Sequence, residues 1–392
     1  MGCRCDGKHR EIGATATVVE NSAARTMKFS TFHSFMLTDA KGVAPDHLLE
    51  GQRVGSTHHR AIADELALIR AADRLGFDTC WMREHHFTDY GFLPNTMTMA
   101  AHAAALTERI RLGTAVITLP LHHPIRVAEE IALVDVLSGG RVDVGIGRGY
   151  QSVEFDAFAV PLGEARARTD EAIEIMRALW TRDRVDHHGA FWDFEGVHLQ
   201  PRPVQQPCPP LYYASVNVDS ITHYAAKGIP FIVDSTVRTT RLEELTDLWL
   251  GVARAHDQST AASDLVAVRY VWVDDNDESA RDYVSRAPKV TSLSTDPRLL
   301  PREKDGRIAA GYEYWEKGWH GRDLAYYDHE PDWHDRWVAG GPGRVIDQLH
   351  ALEAMGIGNV CCVFGLETMP TPPDEIERRM QRFAAEVMPA LR

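Results

Sequence analysis

The residues best equipped for chemistry stand where an apolar run stops. Arg83-Glu84-His85-His86-Phe87 follows directly on Asp78-Thr79-Cys80-Trp81-Met82. A carboxylate and two imidazoles can carry protons, donate hydrogen bonds or ligate a metal. In extended chain neighbouring side chains face opposite ways, so one histidine faces a site while the other packs sideways. A metal needs several ligands converging at about 2 Å, and this triplet alone does not supply them. The His-x-His pair of barrel metallohydrolases is absent from the strand ends, so no metal site is expected. An imidazole titrates near neutrality and suits a proton carrier; a purely structural histidine fits the spacing as well.

A second cluster, Gly145-Ile146-Gly147-Arg148-Gly149-Tyr150, closes the run Arg141-Val142-Asp143-Val144. It is not a dinucleotide fingerprint, because GxGxxG requires glycine where Tyr150 stands and no clear helix opens there. What remains is a glycine turn whose amides approach an anion beside one guanidinium, or a turn that only ends a strand. Ser215, in Tyr213-Ala214-Ser215-Val216-Asn217, ends another apolar run before a helix start. It suits a phosphate or a helix cap equally.

Elements that would position these residues recur along the chain. Apolar, mostly non-alternating runs lie at Lys28–Phe35, Asp78–Met82, Ile110–Leu119, Arg141–Ile146, Leu211–Val216, Pro230–Asp234, Leu265–Val273 and Asn359–Phe364. That is the pattern of parallel strands covered on both faces. Helical periodicity fills the gaps, at Thr57–Leu75, Asn95–Leu106, Pro124–Leu137, Glu164–Trp180, Asp219–Lys227, Thr239–His256, Gly343–Met355 and Asp374–Met388. Asn95 is a candidate N-cap, and Ser138-Gly139-Gly140 a C-terminal stop. Eight alternating units predict an α/β fold, a (β/α)8 TIM barrel, with active-site residues at the C-terminal ends of the strands. Two segments break the repeat, one after helix 4 and one after strand 7. Residues 183–210 suggest a small hairpin and a proline-rich connector. Residues 288–340 hold Tyr312, Tyr314, Trp315, Trp319, Tyr326, Tyr327, Trp333 and Trp337, and suit a lid, a dimer contact or a subdomain. The expected organisation is a disordered extension over 1–26 followed by one domain over 27–392.

Bulk composition excludes several functions. Among 392 residues, 42 Lys and Arg face 56 Asp and Glu, a net charge of −14, which argues against nucleic acid and anionic membranes as partners. No run of 18 apolar residues is present, so no membrane span is expected. Cys3, Cys5, Cys80, Cys208, Cys361 and Cys362 form no CxxC pair, and the expectation is reduced thiols in a cytoplasmic protein.

Together the motifs resemble the bacterial luciferase-like family of flavin-dependent monooxygenases. Glu84-His85-His86-Phe87-Thr88-Asp89-Tyr90-Gly91 is similar to the EHHFTEFG segment of the luciferase α chain. The likeness continues through Ala100-Ala101-His102, Gly113-Thr114-Ala115-Val116-Ile117, Leu119-Pro120, His123-Pro124, Asp135 to Arg141 and the Gly145–Gly149 segment. The resemblance is dense over 27–182, sparser to 275, and returns in 341–392. It implies a TIM barrel holding reduced FMN, supplied by a separate flavin reductase, at the mouth of the strands. It further implies reaction with O2 through a C4a-(hydro)peroxyflavin that oxidises a small organic substrate. His85 matches the catalytic histidine and Arg148 the arginine of the FMN phosphate, with Gly149 and Tyr150 on the same turn. Ser215 matches a phosphate-side hydroxyl, whose acidic neighbour in the family is replaced here by Ala214. Glu84, Ala115, Val116 and Thr118 complete the cofactor contacts so implied, with a cis peptide expected at Ala115–Val116. Deazaflavin F420 with hydride transfer, a non-catalytic flavin-binding relative, and a barrel metallohydrolase, which stoichiometric zinc would support, are the alternatives. A homodimer is implied at the family level, and the Met- and Ala-rich stretch Thr96–Ala105 could serve as its surface or as core.

Overall fold

The strands form where the apolar runs predict them. In the computed structural model, which describes residues 26–36, 55–88, 91–235, 237–258, 264–286, 299–313, 336–365 and 371–392, the first third reads β1 (Lys28–His33), α1 (Gly55–Leu75), β2 (Thr79–Met82), α2 (Thr96–Leu106), β3 (Arg111–Thr114), β4 (Ile117–Thr118), α3 (Pro124–Ser138) and β5 (Val142–Gly147). It continues with α4 (Ser152–Ala157), α5 (Ala165–Thr181), β6 (Val185–His188), β7 (Asp193–Val197), β8 (Leu211–Ala214), α6 (Val218–Ala225), β9 (Phe231–Val233), α7 (Thr239–Ala255) and β10 (Val266–Val273). The last elements are α8 (Asp277–Arg286), β11 (Trp337–Gly340), α9 (Pro342–Ala354), β12 (Asn359–Val363) and α10 (Pro373–Glu386). The leader up to residue 25, with Cys3 and Cys5, lies outside the described residues. So do Tyr314, Trp315, Trp319, Tyr326, Tyr327 and Trp333.

Parallel pairing runs β1-β2-β3-β5-β8-β9 and closes through β10 and β12 back onto β1, with β4 continuing β3 alongside β5. The closed ring is an eight-stranded parallel barrel wrapped by helices, as the alternating pattern predicts. Strands β2, β5 and β12 are buried at every position, which is why their sequences do not alternate. One side chain of each pair enters the lumen and the next packs under the helices. Cys361 meets Trp81, Ile232, Val266 and Val268 inside the barrel, whereas Cys362 joins the layer between strands and helices. Trp81 spans the lumen at the level of Gly113, where a Cβ would lie 2.4 Å from the indole.

Local signals in the sequence end the helices as expected. Asn95 accepts a hydrogen bond from the Thr98 amide at the start of α2, and Gly139 ends α3 at φ 69°. The 183–210 insertion does contain a hairpin, β6 with β7 antiparallel. Glu171 of α5 anchors it by accepting from the amides of Ala190, Phe191 and Trp192.

Two expectations are corrected, and one left open is decided. A helix does open after the glycine segment: α4 begins at Ser152, without a side-chain cap, which is why no capping signal announces it. The Met- and Ala-rich stretch of α2 is core rather than a dimer surface, since Met97, Met99, Ala100, Ala103 and Ala104 are buried. Within 288–340, the segment over 337–340 is not excursion but strand β11, which continues the sheet beside the outer half of β10.

Candidate active site

Strand register brings the chemistry-bearing residues to one end of the barrel. Met82 pairs with Thr114, Ile117 with Ile146, Thr118 with Gly147, and Ile146 with Tyr213. Residues 83–86, 115–118, 148–151 and 215 therefore emerge together at the C-terminal mouth. Arg148 and Ser215 each lie two residues beyond the paired Ile146 and Tyr213, at one level on neighbouring strands.

The glycines of the 145–149 segment have a different task from the one their spacing suggests. Gly145 and Gly147 lie within β5, not in a turn. A Cβ on Gly145 would sit 1.9 Å from the Thr114 carbonyl oxygen, and one on Gly147 would sit 2.8 Å from Val116 Cγ2. Gly149, at φ +71°, would meet Thr118 Cγ2 at 2.5 Å. Each glycine thus receives one alternate residue of the irregular strand 114–118. The Thr114 hydroxyl donates to the Gly145 carbonyl at 2.7 Å and secures the approach. The Ala115–Val116 peptide is cis, as the resemblance implies.

His85 is held from several sides. Its amide donates to the Leu93 carbonyl, and Gly91 leaves room for the ring, since a Cβ there would lie 3.0 Å from His85 Cβ and Cδ2. Nδ1 lies 3.0 Å from Glu154 Oε1 and 3.1 Å from the Gln151 amide nitrogen, and Tyr150 meets the ring edge-on. The Glu154 oxygen also accepts from the His86 amide at 2.9 Å. A carboxylate on Nδ1 draws the proton to that nitrogen and makes Nε2 the basic one, with the Gln151 amide turned so that its oxygen, otherwise unpartnered among the described residues, and not its NH2, faces Nδ1. Glu154 and Gln151 are fully buried. Neither is legible in the sequence, because α4, which carries Glu154 and follows directly on Gln151, is too short to give a periodic signal. The only hint was an acidic residue a short way beyond the glycines. Burial raises the pKa of the Tyr150 phenol, keeping it neutral.

His86 points the other way, as alternation predicts. Its Nε2 lies 3.3 Å from Glu84 Oε1, and its ring packs edge-on against Phe158. His122 Nε2 lies 2.9 Å from the same Glu84 oxygen, which also accepts from the Thr118 amide at 3.1 Å. Burial alone would raise the Glu84 carboxyl, but the hydrogen bonds of His122 and His86 outweigh it and hold it at about 2. Burial likewise disfavours a charged His122, yet the hydrogen bond to Glu84 raises its pKa above the ordinary histidine value. Glu84 is therefore committed to imidazoles and backbone rather than turned to the mouth.

Arg148 donates to the Gly311 carbonyl at 2.6 Å and lies 4.1 Å from the Tyr312 ring centroid. Tyr312 in turn donates its hydroxyl to the Gly149 carbonyl at 2.8 Å. Part of the aromatic excursion therefore rests on the glycine segment. Ser215 accepts from the Asn217 amide at 3.0 Å, and Asn217 caps α6, so the serine shapes the approach to that helix rather than capping it.

Known proteins place this arrangement in a family. A family model described as luciferase-like monooxygenase matches residues 27–359. An uncharacterized protein of Sinorhizobium fredii is 34% identical over 197 residues, 50% of this chain and 53% of that one. The alkanal monooxygenase alpha chain of Photorhabdus luminescens is 28% identical over 83% of this chain and 90% of its own length. The oxygenase component of the flavin-dependent trigonelline monooxygenase of Acinetobacter baylyi is 29% identical over 85% and 91%. Among solved structures, the monooxygenase RslO1 of Streptomyces bottropensis superposes with a TM-score of 0.70 at 25% identity, covering 93% of this chain and 99% of that one. The oxygenating constituent of 3,6-diketocamphane monooxygenase of Pseudomonas putida, in complex with FMN, gives 0.71 at 18% identity, covering 93% and 98%. The F420-dependent tetrahydromethanopterin reductase of Methanopyrus kandleri gives 0.63 at 17%, covering 94% and 100%, a likeness of fold alone. With the family model spanning most of the chain, and the barrel, the cis peptide and the histidine at the mouth in place, this protein belongs to the luciferase-like monooxygenases.

Proposed function

We propose that the protein is the oxygenase of a two-component system, using reduced FMN and O2 to oxidise a small organic substrate. The observation that carries this reading is the His85–Glu154 pair, buried at the barrel mouth beside the strand 114–118. When bound, reduced FMN supplies the two electrons that activate O2. The residues present fit such a group. The faces of Gly145, Gly147 and Gly149 receive Thr114, Val116 and Thr118, which seats the irregular strand against β5, and a guanidinium and a hydroxyl, Arg148 and Ser215, share one level at the strand ends. Arg148 would hold the phosphate, with Gly149, Tyr150 and Ser215 around it. Ala115, Val116 and Thr118 would lie against the ring system.

The chain's own residues divide the remaining work. Glu154 fixes the proton on Nδ1 of His85, so Nε2 takes a proton from the substrate side. Tyr150, neutral and packed on the imidazole, restricts its rotation. The segment that includes Gly311 and Tyr312 covers the glycine segment and excludes water there. F420-dependent hydride transfer is the second reading; a protein of the same fold is named as an F420-dependent reductase. The longer anionic tail of F420 calls for basic groups beyond Arg148.

A separate flavin reductase is the partner this reading needs, consistent with the relative named as an oxygenase component. We place the protein in the cytoplasm, since Cys80, Cys208, Cys361 and Cys362 are free thiols; no helix among the described residues is long and apolar enough to cross a membrane. A homodimer is proposed through α3, whose Leu133, Val136 and Leu137 are exposed at one helical face. The test of the proposed reaction is oxygen consumption coupled to substrate oxidation with reduced FMN. His85→Ala should bind flavin normally and lose coupled oxidation by about 10²-fold or more; normal coupling in that variant would reject the assignment.

A further inference from the structure

We propose that Glu84, His86 and His122 form a binding site for a divalent cation of the zinc class, at the rim of the barrel and separate from the His85–Glu154 pair. Their ligand atoms all lie within 4.8 Å of one another. The proposal does not rest on the flavin reading, because none of its terms involves a cofactor.

Two observations point to an ion rather than to hydrogen bonds alone. First, a single oxygen, Glu84 Oε1, is approached by three nitrogens: the Thr118 amide at 3.1 Å, His122 Nε2 at 2.9 Å and His86 Nε2 at 3.3 Å. A carboxylate oxygen offers two lone pairs, one fewer than the donors crowding it. The Thr118 amide has a fixed direction in the backbone and takes one of them. An ion between the two imidazoles and the carboxylate removes the excess, because each Nε2 then donates a lone pair to the metal instead of a proton to the oxygen.

Second, the spacing is that of a coordination shell. Ligands at about 2.0–2.1 Å in a tetrahedron stand roughly 3.3 Å from one another; His86 Nε2 lies at that distance from Glu84 Oε1, 3.3 Å, and His122 Nε2 a little inside it, 2.9 Å. Two imidazoles and one carboxylate are a borderline-soft donor set that suits zinc and leaves a fourth position for water. Burial agrees: the Glu84 and His86 side chains are 1% and 5% exposed, and His122, at 22%, gives the ion its way in. Phe158 and Phe87 pack on the His86 ring and form an apolar wall on one side.

The elements make such an ion a fastener. Glu84 and His86 extend from β2, while His122 precedes Pro124, the first residue of α3. The ion would tie the stretch that carries His85 to the loop between β4 and α3.

The experiment uses the full chain, stripped with a chelator and titrated with Co²⁺, then Zn²⁺. One equivalent of Co²⁺ should give the visible ligand-field bands of a four- or five-coordinate nitrogen–oxygen site, and one equivalent of Zn²⁺ should abolish them. In His122→Gln, which keeps an N–H toward Glu84 but removes a good ligand, affinity should fall at least tenfold. In His86→Ala the bands should vanish, with circular dichroism confirming that both variants fold. Absence of bands in the unaltered chain, or equal affinity and spectrum in both variants, would overturn the proposal and leave a hydrogen-bonded carboxylate. Flavin titration of the same samples reads the other proposal independently.

Discussion

At the scale of single residues, the site depends on which groups constrain His85. The imidazole was legible in the sequence as one of a pair at a strand end, but the partner that sets its tautomer was not. Glu154 lies 69 positions away on a helix of one and a half turns, and only the fold brings the two together. Glu154→Gln should keep flavin affinity, lower coupled turnover about 10²-fold and displace the pH profile of the rate. An unchanged profile would reduce Glu154 to packing. The glycines carry a second residue-scale expectation. Gly147→Ala places a methyl within 2.8 Å of Val116, so it should cost about 1–3 kcal/mol in denaturant unfolding. A neutral result would show that strand 114–118 gives way easily.

At the scale of elements, buried carboxylates tie loops to helices. Asp73 of α1 accepts from the amides of Glu108, Arg109 and Ile110, fixing the chain between α2 and β3. Burial pushes this carboxyl up, but the three amides outweigh it and lower its pKa. A carboxyl depressed in the folded state adds stability that is complete above its unfolded value of about 3.9 and is lost as pH falls through the folded one. Asp73→Asn should therefore destabilise by about 2 kcal/mol at pH 7. The gap to the unaltered protein should close as pH drops below about 4. A gap independent of pH would contradict the assignment. All eight barrel strands were legible, because buried parallel strands write continuous apolar runs. Helix α4 and strand β11 were not. The first is too short for periodicity, and the second is stabilised by pairing with the far half of β10 rather than by its own pattern.

At the scale of the whole molecule, closure of the barrel turns separate strand ends into one mouth. The order of units fixes that outcome, which is why the fold and the end bearing the site could be read from the chain while the contacts across the mouth could not. The excursion after β10 shows the limit. Its aromatic content suggested a cover, and Tyr312 does lie on the Arg148 guanidinium, but composition could not say which residue would do so. Association is a whole-molecule expectation as well. Leu137→Glu, on the exposed α3 face, should convert a dimer to a monomer in light scattering with the fold retained. A dimer of undiminished stability would move the interface elsewhere.

The central claim is that the mouth receives a phosphate-bearing flavin with its anionic end at Arg148. Anaerobic titration with reduced FMN and reduced riboflavin, on the unaltered protein and on Arg148→Ala, tests it most directly. The account predicts that FMN binds the unaltered protein at least tenfold more tightly than riboflavin, and that the variant binds the two alike. Equal affinities in the unaltered protein, or a phosphate preference that survives loss of the guanidinium, would contradict it.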